Sequence, residues 1–299
     1  MFIFGVGKGI GLAGAAGDCF EVPGKGNAMI RVAVMTFMYR HTITQGLLTH
    51  EKLVAGCAAG GAGGLEMFHQ DFVDQPALGP LYRRLLADHA MTLPVMDVIT
   101  NLVYADRAQK QAGIDRLRRG MDVCAEMGTG IAHVAGCKPV EGVPLDDARR
   151  MIGDALAEQV DYAAARGITL AIEDFLPSPT LICSSADCRE ILDRAGSAVK
   201  FVFDTGNFIV ADEQADQVLD KLYDRSIHFH FKDFTRAPDK PFGVQGCALG
   251  DGVIPNQAVA GEIVRRGYDG WVALEASGHL PAMEQVPADL AVLRGMLGL

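Results

Sequence analysis

Three short apolar runs in the second half of the chain each end on a carboxylate. Leu170-Ala171-Ile172 leads into Glu173, Phe201-Val202-Phe203 into Asp204, and Trp271-Val272-Ala273-Leu274 into Glu275. Between the last two lies Ile227-His228-Phe229-His230-Phe231-Lys232-Asp233. Its two histidines stand two residues apart, so only one of them can lie level with the carboxylates at the strand ends. If these runs are neighbouring parallel strands, three carboxylates and an imidazole converge on one corner, where like charges repel unless a cation sits among them. Such a donor set suits a hard-to-borderline divalent ion, with Mn²⁺ first and Mg²⁺, Co²⁺ or Zn²⁺ as alternatives. The lack of thiolates argues against a closed structural zinc site. Lys232 ends the same run as the histidines, where it can hydrogen-bond an enediolate or a substrate carboxylate, or pair with Asp233.

These residues need a scaffold that brings strand ends together. Eight β-rich runs occupy residues 30–39, 65–69, 93–100, 131–135, 169–175, 200–204, 227–232 and 271–275. They are near-continuously apolar, as parallel strands buried on both faces must be. Segments of helical periodicity separate them, at 106–127, 146–166, 186–194, 213–223 and 256–266, with a weaker, glycine-rich one at 49–63. Several stop on glycine before the next strand, as in Arg166-Gly167, Ala195-Gly196 and Arg266-Gly267. A spacing of roughly 34 residues fits a strand, a crossover helix and loops repeated eight times. The expected fold is therefore an α/β (β/α)₈ TIM barrel, a single domain over residues 29–299. In that fold, functional groups gather where strands end and βα loops begin. The rule also sends Glu66 and His69 (second strand) and Asn101 (third) to the mouth, whereas His133, inside the fourth strand, reads as a core or rim histidine. Residues 1–28 form an N-terminal extension. Its Gly5, Gly7, Gly9 and Gly11 lack the strand-then-helix context of a phosphate loop.

Composition narrows the function. Of 299 residues, 49% are hydrophobic and 21% charged, enough apolar material for a large core. The formal net charge of −10 disfavours nucleic acid or an anionic membrane as partner. Seven cysteines without a CxxC spacing, no apolar run of spanning length and no signal-peptide pattern give the expectation of a reduced, cytoplasmic protein.

Ala171-Ile172-Glu173, Phe203-Asp204-Thr205-Gly206-Asn207, His228-Phe229-His230-Phe231-Lys232-Asp233, Gly250-Asp251-Gly252-Val253-Ile254 and Gly267-Tyr268-Asp269-Gly270 before Glu275 resemble the sugar phosphate isomerase/epimerase family. This is the xylose isomerase-like TIM barrel superfamily, which includes the ketose 3-epimerases. The resemblance runs from about residue 29 to the C-terminus and is most specific in the second half. It implies that Glu173, Asp204, His230 and Glu275 hold the metal and that Glu173 and Glu275 are also the acid–base pair. It places Arg236 where the ketose 3-epimerases carry a substrate-contacting arginine. Asn207 stands where they usually carry a histidine, a departure that leaves the substrate open. It further implies a small-molecule sugar substrate and a homo-oligomer, a dimer or tetramer.

The leading functional expectation is a metal-dependent isomerase or epimerase of a keto sugar or related hydroxy-carbonyl compound. One glutamate removes a proton α to the carbonyl and the other returns one. The alternative is a dehydratase of an inosose- or dehydroshikimate-like substrate, which shares the enolate step. The superfamily's apurinic-site endonuclease branch uses many more histidine ligands and a basic surface. Eight histidines in all and a net charge of −10 do not match it.

Overall fold

The computed structural model describes residues 29–276 and 282–299, so the extension at 1–28 lies outside the described residues. Eight parallel strands close into a barrel: β1 (Arg31–Met35), β2 (Gly64–Phe68), β3 (Thr92–Ile99), β4 (Ile131–Ala135), β5 (Thr169–Glu173), β6 (Lys200–Asp204), β7 (Ser226–Phe231) and, last in the chain, β10 (Trp271–Leu274). Between the last two, β8 (Asp233–Arg236) and β9 (Val244–Cys247) form a separate antiparallel ribbon. Ten helices pack around or over the barrel: α1 (Arg40–Thr44), α2 (His50–Ala59), α3 (His69–Asp74), α4 (Leu78–Asp88), α5 (Arg107–Met127), α6 (Leu145–Ala164), α7 (Ser185–Ala195), α8 (Ala215–Leu222), α9 (Asn256–Arg265) and α10 (Ala282–Leu297). The expected TIM barrel is the fold found. None of the helices is long and apolar enough to cross a membrane.

Alternation along each strand sorts side chains into two layers. Val32, Val34, Leu65, Met67, Met96, Val98, Leu170, Ile172, Phe201, Phe203, Phe229, Phe231, Val272 and Leu274 join the main apolar cluster beneath the helices. The residues between them point to the barrel axis. There Ala33, Ala171 and Ala273 are small and fully buried, and they leave room for longer polar groups on neighbouring strands. The axis is accordingly polar: Glu66, Asp97, His133, His228 and His230 are all fully buried.

Helix ends follow local chemistry. Asp106 and Ser184 cap α5 and α7 by accepting backbone N–H bonds from Gln109 and Asp187. Gly167 and Gly267, the stops that the sequence marks after α6 and α9, adopt φ of +68°, a conformation that a Cβ disfavours. Two helix-interior glycines differ in purpose. A Cβ on Gly113 of α5 would collide with the Asn101 carbonyl, whereas one on Gly261 of α9 would meet nothing within 4 Å.

Gly113→Ala is thus expected to lose stability, because overpacking costs about 1–3 kcal/mol and outweighs the roughly 1 kcal/mol gained in helix propensity. Gly261→Ala should gain roughly 0.5–1 kcal/mol. Urea unfolding of the two variants beside the parent separates these signs.

Candidate metal centre and substrate cavity

The barrel register assembles the site. Asp204 at the end of β6 pairs in register with His230 of β7, which in turn pairs with Ala273 of β10. Glu173 is the last residue of β5, and Glu275 follows β10. The Nδ1 atom of His230 lies 3.7 Å from Glu173 Oε2, 3.8 Å from Asp204 Oδ2 and 3.5 Å from Glu275 Oε2. Donor atoms of Glu173, Asp204 and His230 all lie within 4.8 Å of one another, a spacing that can hold an ion. His230 Nδ1 and Asp204 Oδ2 are buried and accept or donate no hydrogen bond. Buried polar atoms are normally paired, so two without a hydrogen bond aimed at one point fit a metal ligand set.

Each ligand is fixed from behind. The Nε2 of His230 lies 3.0 Å from Glu66 Oε2, which places the ring proton on that side and leaves Nδ1 with its lone pair facing the carboxylates. Glu66 also meets His228 Nε2 at 3.0 Å, while His228 Nδ1 is 2.9 Å from the Trp271 carbonyl oxygen. The Oδ1 of Asp204 accepts the backbone N–H groups of Gly206 and Asn207, at 2.7 and 3.1 Å, which directs Oδ2 into the site. Behind it, Asp174 Oδ1 accepts the Asp204 N–H. His133 Nε2 stands 3.3 Å from Glu173 Oε1, and its Nδ1 is 2.7 Å from Asp97 Oδ1.

Lys232 enters the middle of this set. Its Nζ is 2.7 Å from Asp204 Oδ2 and 2.9 Å from Glu275 Oε1. The first contact is a short ion pair, so the Lys232 ammonium supplies Asp204 Oδ2 with a positive partner and leaves His230 Nδ1 as the unpaired group among the carboxylates. The amine therefore sits among the candidate ligands and not on Asp233. The Asp233 carboxylate accepts N–H groups from Phe234, Gly250, Gly252 and Ile254 and so shapes the loop that the Gly250–Ile254 motif forms. A Cβ on Gly252 would strike Asp233, and one on Gly206 would lie 2.6 Å from Lys232 Cγ. These glycines are the clearances that the two side chains require.

The charges are unequally held. Burial raises the Glu275 pKa, but Lys232 and His230 outweigh it and bring the carboxyl down to about 2. Burial likewise works against Glu173, where the His133 and His230 rings prevail and hold it well below the usual carboxylate range. Asp204 goes the other way: burial pushes it up to about 7, with Lys232 opposing and Glu275 and Glu173 adding to the rise. An Asp204 pushed towards its neutral form beside two glutamates held ionised means the site, as folded, is short of positive charge.

Above the ligands opens a cavity of about 540 Å³, lined by Glu173, Asn207, Lys232 and Glu275 together with His133, Asp97, Gln245 and a set of aromatic and aliphatic side chains. Asn207 donates from Nδ2 to the Asp174 carbonyl at 2.5 Å, and its Oδ1 has no partner. Three residues expected at the substrate are placed elsewhere. Glu66 is fully buried behind His230, because residue 66 lies two positions before the end of β2 and points to the axis below the mouth. His69 begins α3, is buried, and spends Nδ1 on the Asp97 carbonyl. Arg236 is exposed at the end of β8, paired with Val244 of the ribbon, and does not line the cavity. Conversely, His133 and Asp97 reach the cavity from strand interiors, cross-strand partners in register. Their polarity inside otherwise apolar strands was the available signal.

The chain belongs to the xylose isomerase-like TIM barrel family, whose model matches residues 54–296. Fructoselysine 3-epimerase of Escherichia coli O157:H7 is 24% identical over 177 residues, which cover 58% of this chain and 62% of that one. The chain thus spans less than two thirds of that curated relative. Among solved structures, D-psicose 3-epimerase from Clostridium cellulolyticum H10 aligns with a TM-score of 0.72 at 13% identity, covering 89% of this chain and 99% of that one. A probable 3-DHS dehydratase from Bacillus anthracis aligns with a TM-score of 0.71 at 17% identity, covering 88% and 98%. At these identities the two structures establish likeness of fold.

Lys232→Met is expected to leave Asp204 and Glu275 uncompensated and to cost about 3–5 kcal/mol in metal-free protein. Saturating Mn²⁺ should recover much of the loss, because an ion held by the same carboxylates replaces the missing charge. Urea unfolding with and without Mn²⁺ reads both effects, and an equal loss in the two conditions would contradict the shared site. Glu66→Gln should weaken Mn²⁺ binding about 10–100-fold in a calorimetric titration, because the His230 ring loses its orienting carboxylate.

Proposed function

We propose that the protein is a metal-dependent isomerase or epimerase of a hydroxy-carbonyl sugar. The observation that carries this reading is the ring of Glu173, Asp204 and Glu275 around the unpartnered Nδ1 of His230, at the floor of an open cavity. Those four residues would hold the divalent ion, with Mn²⁺ the first candidate. When bound, such an ion polarises a substrate carbonyl and lowers the acidity barrier of the neighbouring C–H.

The remaining chemistry belongs to the side chains. Glu173, kept ionised by His133 and His230, takes the proton from the carbon α to the carbonyl. The C–H electron pair becomes the C=C bond of an enediolate. Glu275 Oε1, 2.9 Å from Lys232 Nζ, takes a proton from that ammonium and passes it to carbon, while Glu173 gives up its captured proton to solvent, from which Lys232 is recharged. Return to the same carbon from the other face gives the epimer; return to the former carbonyl carbon gives the isomer. Lys232 can donate to the enediolate oxygen, and Asn207 Oδ1 accepts from a substrate hydroxyl. The likeness to fructoselysine 3-epimerase supports this reading.

A dehydratase is the second reading, and Lys232 is the observation that favours it. An ammonium beside Glu275 can protonate a departing β-hydroxyl once the enolate has formed. The fold likeness to a probable 3-DHS dehydratase is compatible with it.

The test is solvent exchange in D₂O with Mn²⁺-loaded enzyme across keto sugars, their phosphates and keto-inositols. Exchange of the α-proton is expected with at least one substrate, and Glu173→Gln should slow it by about 10²–10⁴-fold. No exchange with any of them, or an undiminished rate in Glu173→Gln, would remove the proposal. Growth of a conjugated-enone absorbance in place of exchange would select the dehydratase.

A further inference from the structure

The cavity wall is divided between two chemistries. Its charged groups gather at the floor, on the strand ends described above. The opposite side is apolar: Phe37 and Met38 follow β1, Phe68 closes β2, Phe175 and Leu176 follow β5, and Phe234 comes from the β8–β9 ribbon. None of these six is fully buried, although they belong to one continuous surface. Phe37 and Phe68 stack with ring centroids 6.0 Å apart and planes 18° apart, and the Arg40 guanidinium, ion-paired to Asp71, lies 4.9 Å from the Phe68 ring and does not line the cavity. Phe37 is exposed and the other five are half-buried, each turning part of its surface to the cavity, and an apolar wall of this kind beside a polar floor suits a ligand with an apolar part.

We infer that the substrate carries an apolar, ring-sized substituent beside its hydroxy-carbonyl group, as an aryl or cyclic-alkyl glycoside of a keto sugar does; the inference rests on the enzymatic reading given above. Three features separate this class from a free sugar or a sugar phosphate. A cavity of about 540 Å³ holds the volume of roughly 18 waters at about 30 Å³ each, more than the dozen heavy atoms of a hexose occupy. Among the described residues, Asp97, His133, Glu173, Asn207, Lys232 and Glu275 can meet the hydroxyls of a sugar at the floor, whereas the apolar side with its Phe37, Phe68, Phe175 and Phe234 offers them no side-chain partner. The only lysine or arginine in that wall is Lys232, already held by two carboxylates, so a phosphate would meet the site's negative charge without a free cation. With the hydroxy-carbonyl end over Glu173 and Glu275, a substituent points across to Phe175 and Phe234.

The experiment compares phenyl β-D-glucoside, glucose and glucose 6-phosphate in equilibrium binding to the Mn²⁺-loaded enzyme. Phenyl β-D-glucoside has no free carbonyl to react, and product analysis verifies that glucose and its phosphate stay unconverted during the titration, so binding is read apart from reaction. The phenyl compound should bind at least about tenfold more tightly than glucose, and Phe175→Ala and Phe234→Ala should each remove most of that advantage. Melting curves verify that both variants fold, and the parent comparison decides even where one does not. Equal binding of the phenyl compound and glucose, or tighter binding of the phosphate, overturns the inference. The 3-keto forms of the same compounds are then assayed for α-proton exchange. A phenyl preference in binding with no exchange of any keto form would sink the isomerase reading while leaving the substituent assignment standing.

Discussion

The constraint on which the rest of this structure depends is the burial of negative charge at one end of a barrel. Glu66, Asp97, Glu173, Asp174, Asp204 and Glu275 are all buried around the axis, against the four bases His133, His228, His230 and Lys232. Even with every base protonated, six carboxylates leave a deficit that desolvation makes costly. The folded protein answers by dividing the acids. Glu66, Glu173 and Glu275 each lie against histidine or lysine and stay ionised. Burial drives Asp97, Asp174 and Asp204 up, towards the neutral form. A divalent ion held, as proposed, among Glu173, Asp204, His230 and Glu275 would remove the need for that compromise. Metal binding and the stability of the strand ends are, on this account, one equilibrium.

Backbone geometry makes the burial possible. Parallel strands in register carry Asp204, His230 and the approach to Glu275 to the same level. Small residues facing the axis at 33, 171 and 273 leave volume for imidazoles and long acids beside them. Loop chemistry then completes the support: Asp233 gathers four N–H groups from its own strand end and the following loop, and Gly206 clears the stem of Lys232. A helix-side apolar cluster holds the strands, so the polar axis does not have to supply cohesion.

The barrel was legible in the sequence because parallel strands buried on both faces leave apolar runs that turns and amphipathic helices separate cleanly. Glu173, Asp204 and Glu275 stand out as candidates in the sequence because each terminates such a run, and His230 because it interrupts another one residue before its end. What the sequence could not convey was depth along the axis. Glu66 and His69 both sit near the end of β2, yet one faces the axis below the mouth and the other turns into α3, away from the cavity. Asp97 and His133 lie in strand interiors, and only the register between β3 and β4 brings them together near Glu173. The segment between β7 and α9 is rich in glycine and proline. Its pairing into a ribbon depends on cross-strand contacts that single-strand periodicity does not encode, and that pairing carries Arg236 outward while Phe234 turns to the cavity.

The two halves of the cavity answer to different constraints. The ligand corner is built from strand ends, where a shift of one residue would turn a side chain from the axis to the helices. Its composition is therefore tied to the barrel itself. The apolar side is built from residues after β1 and β5 and from the ribbon, segments whose length and sequence can change without disturbing strand register. Asn207 stands at the boundary, anchored to the Asp174 carbonyl with one free oxygen towards the cavity. A neutral acceptor there adds no further charge to a site already crowded with carboxylates, whereas a carboxylate at the same place would deepen the deficit. On the proposed reading, reaction type resides in the floor and substrate choice in the apolar wall, with Asn207 between them.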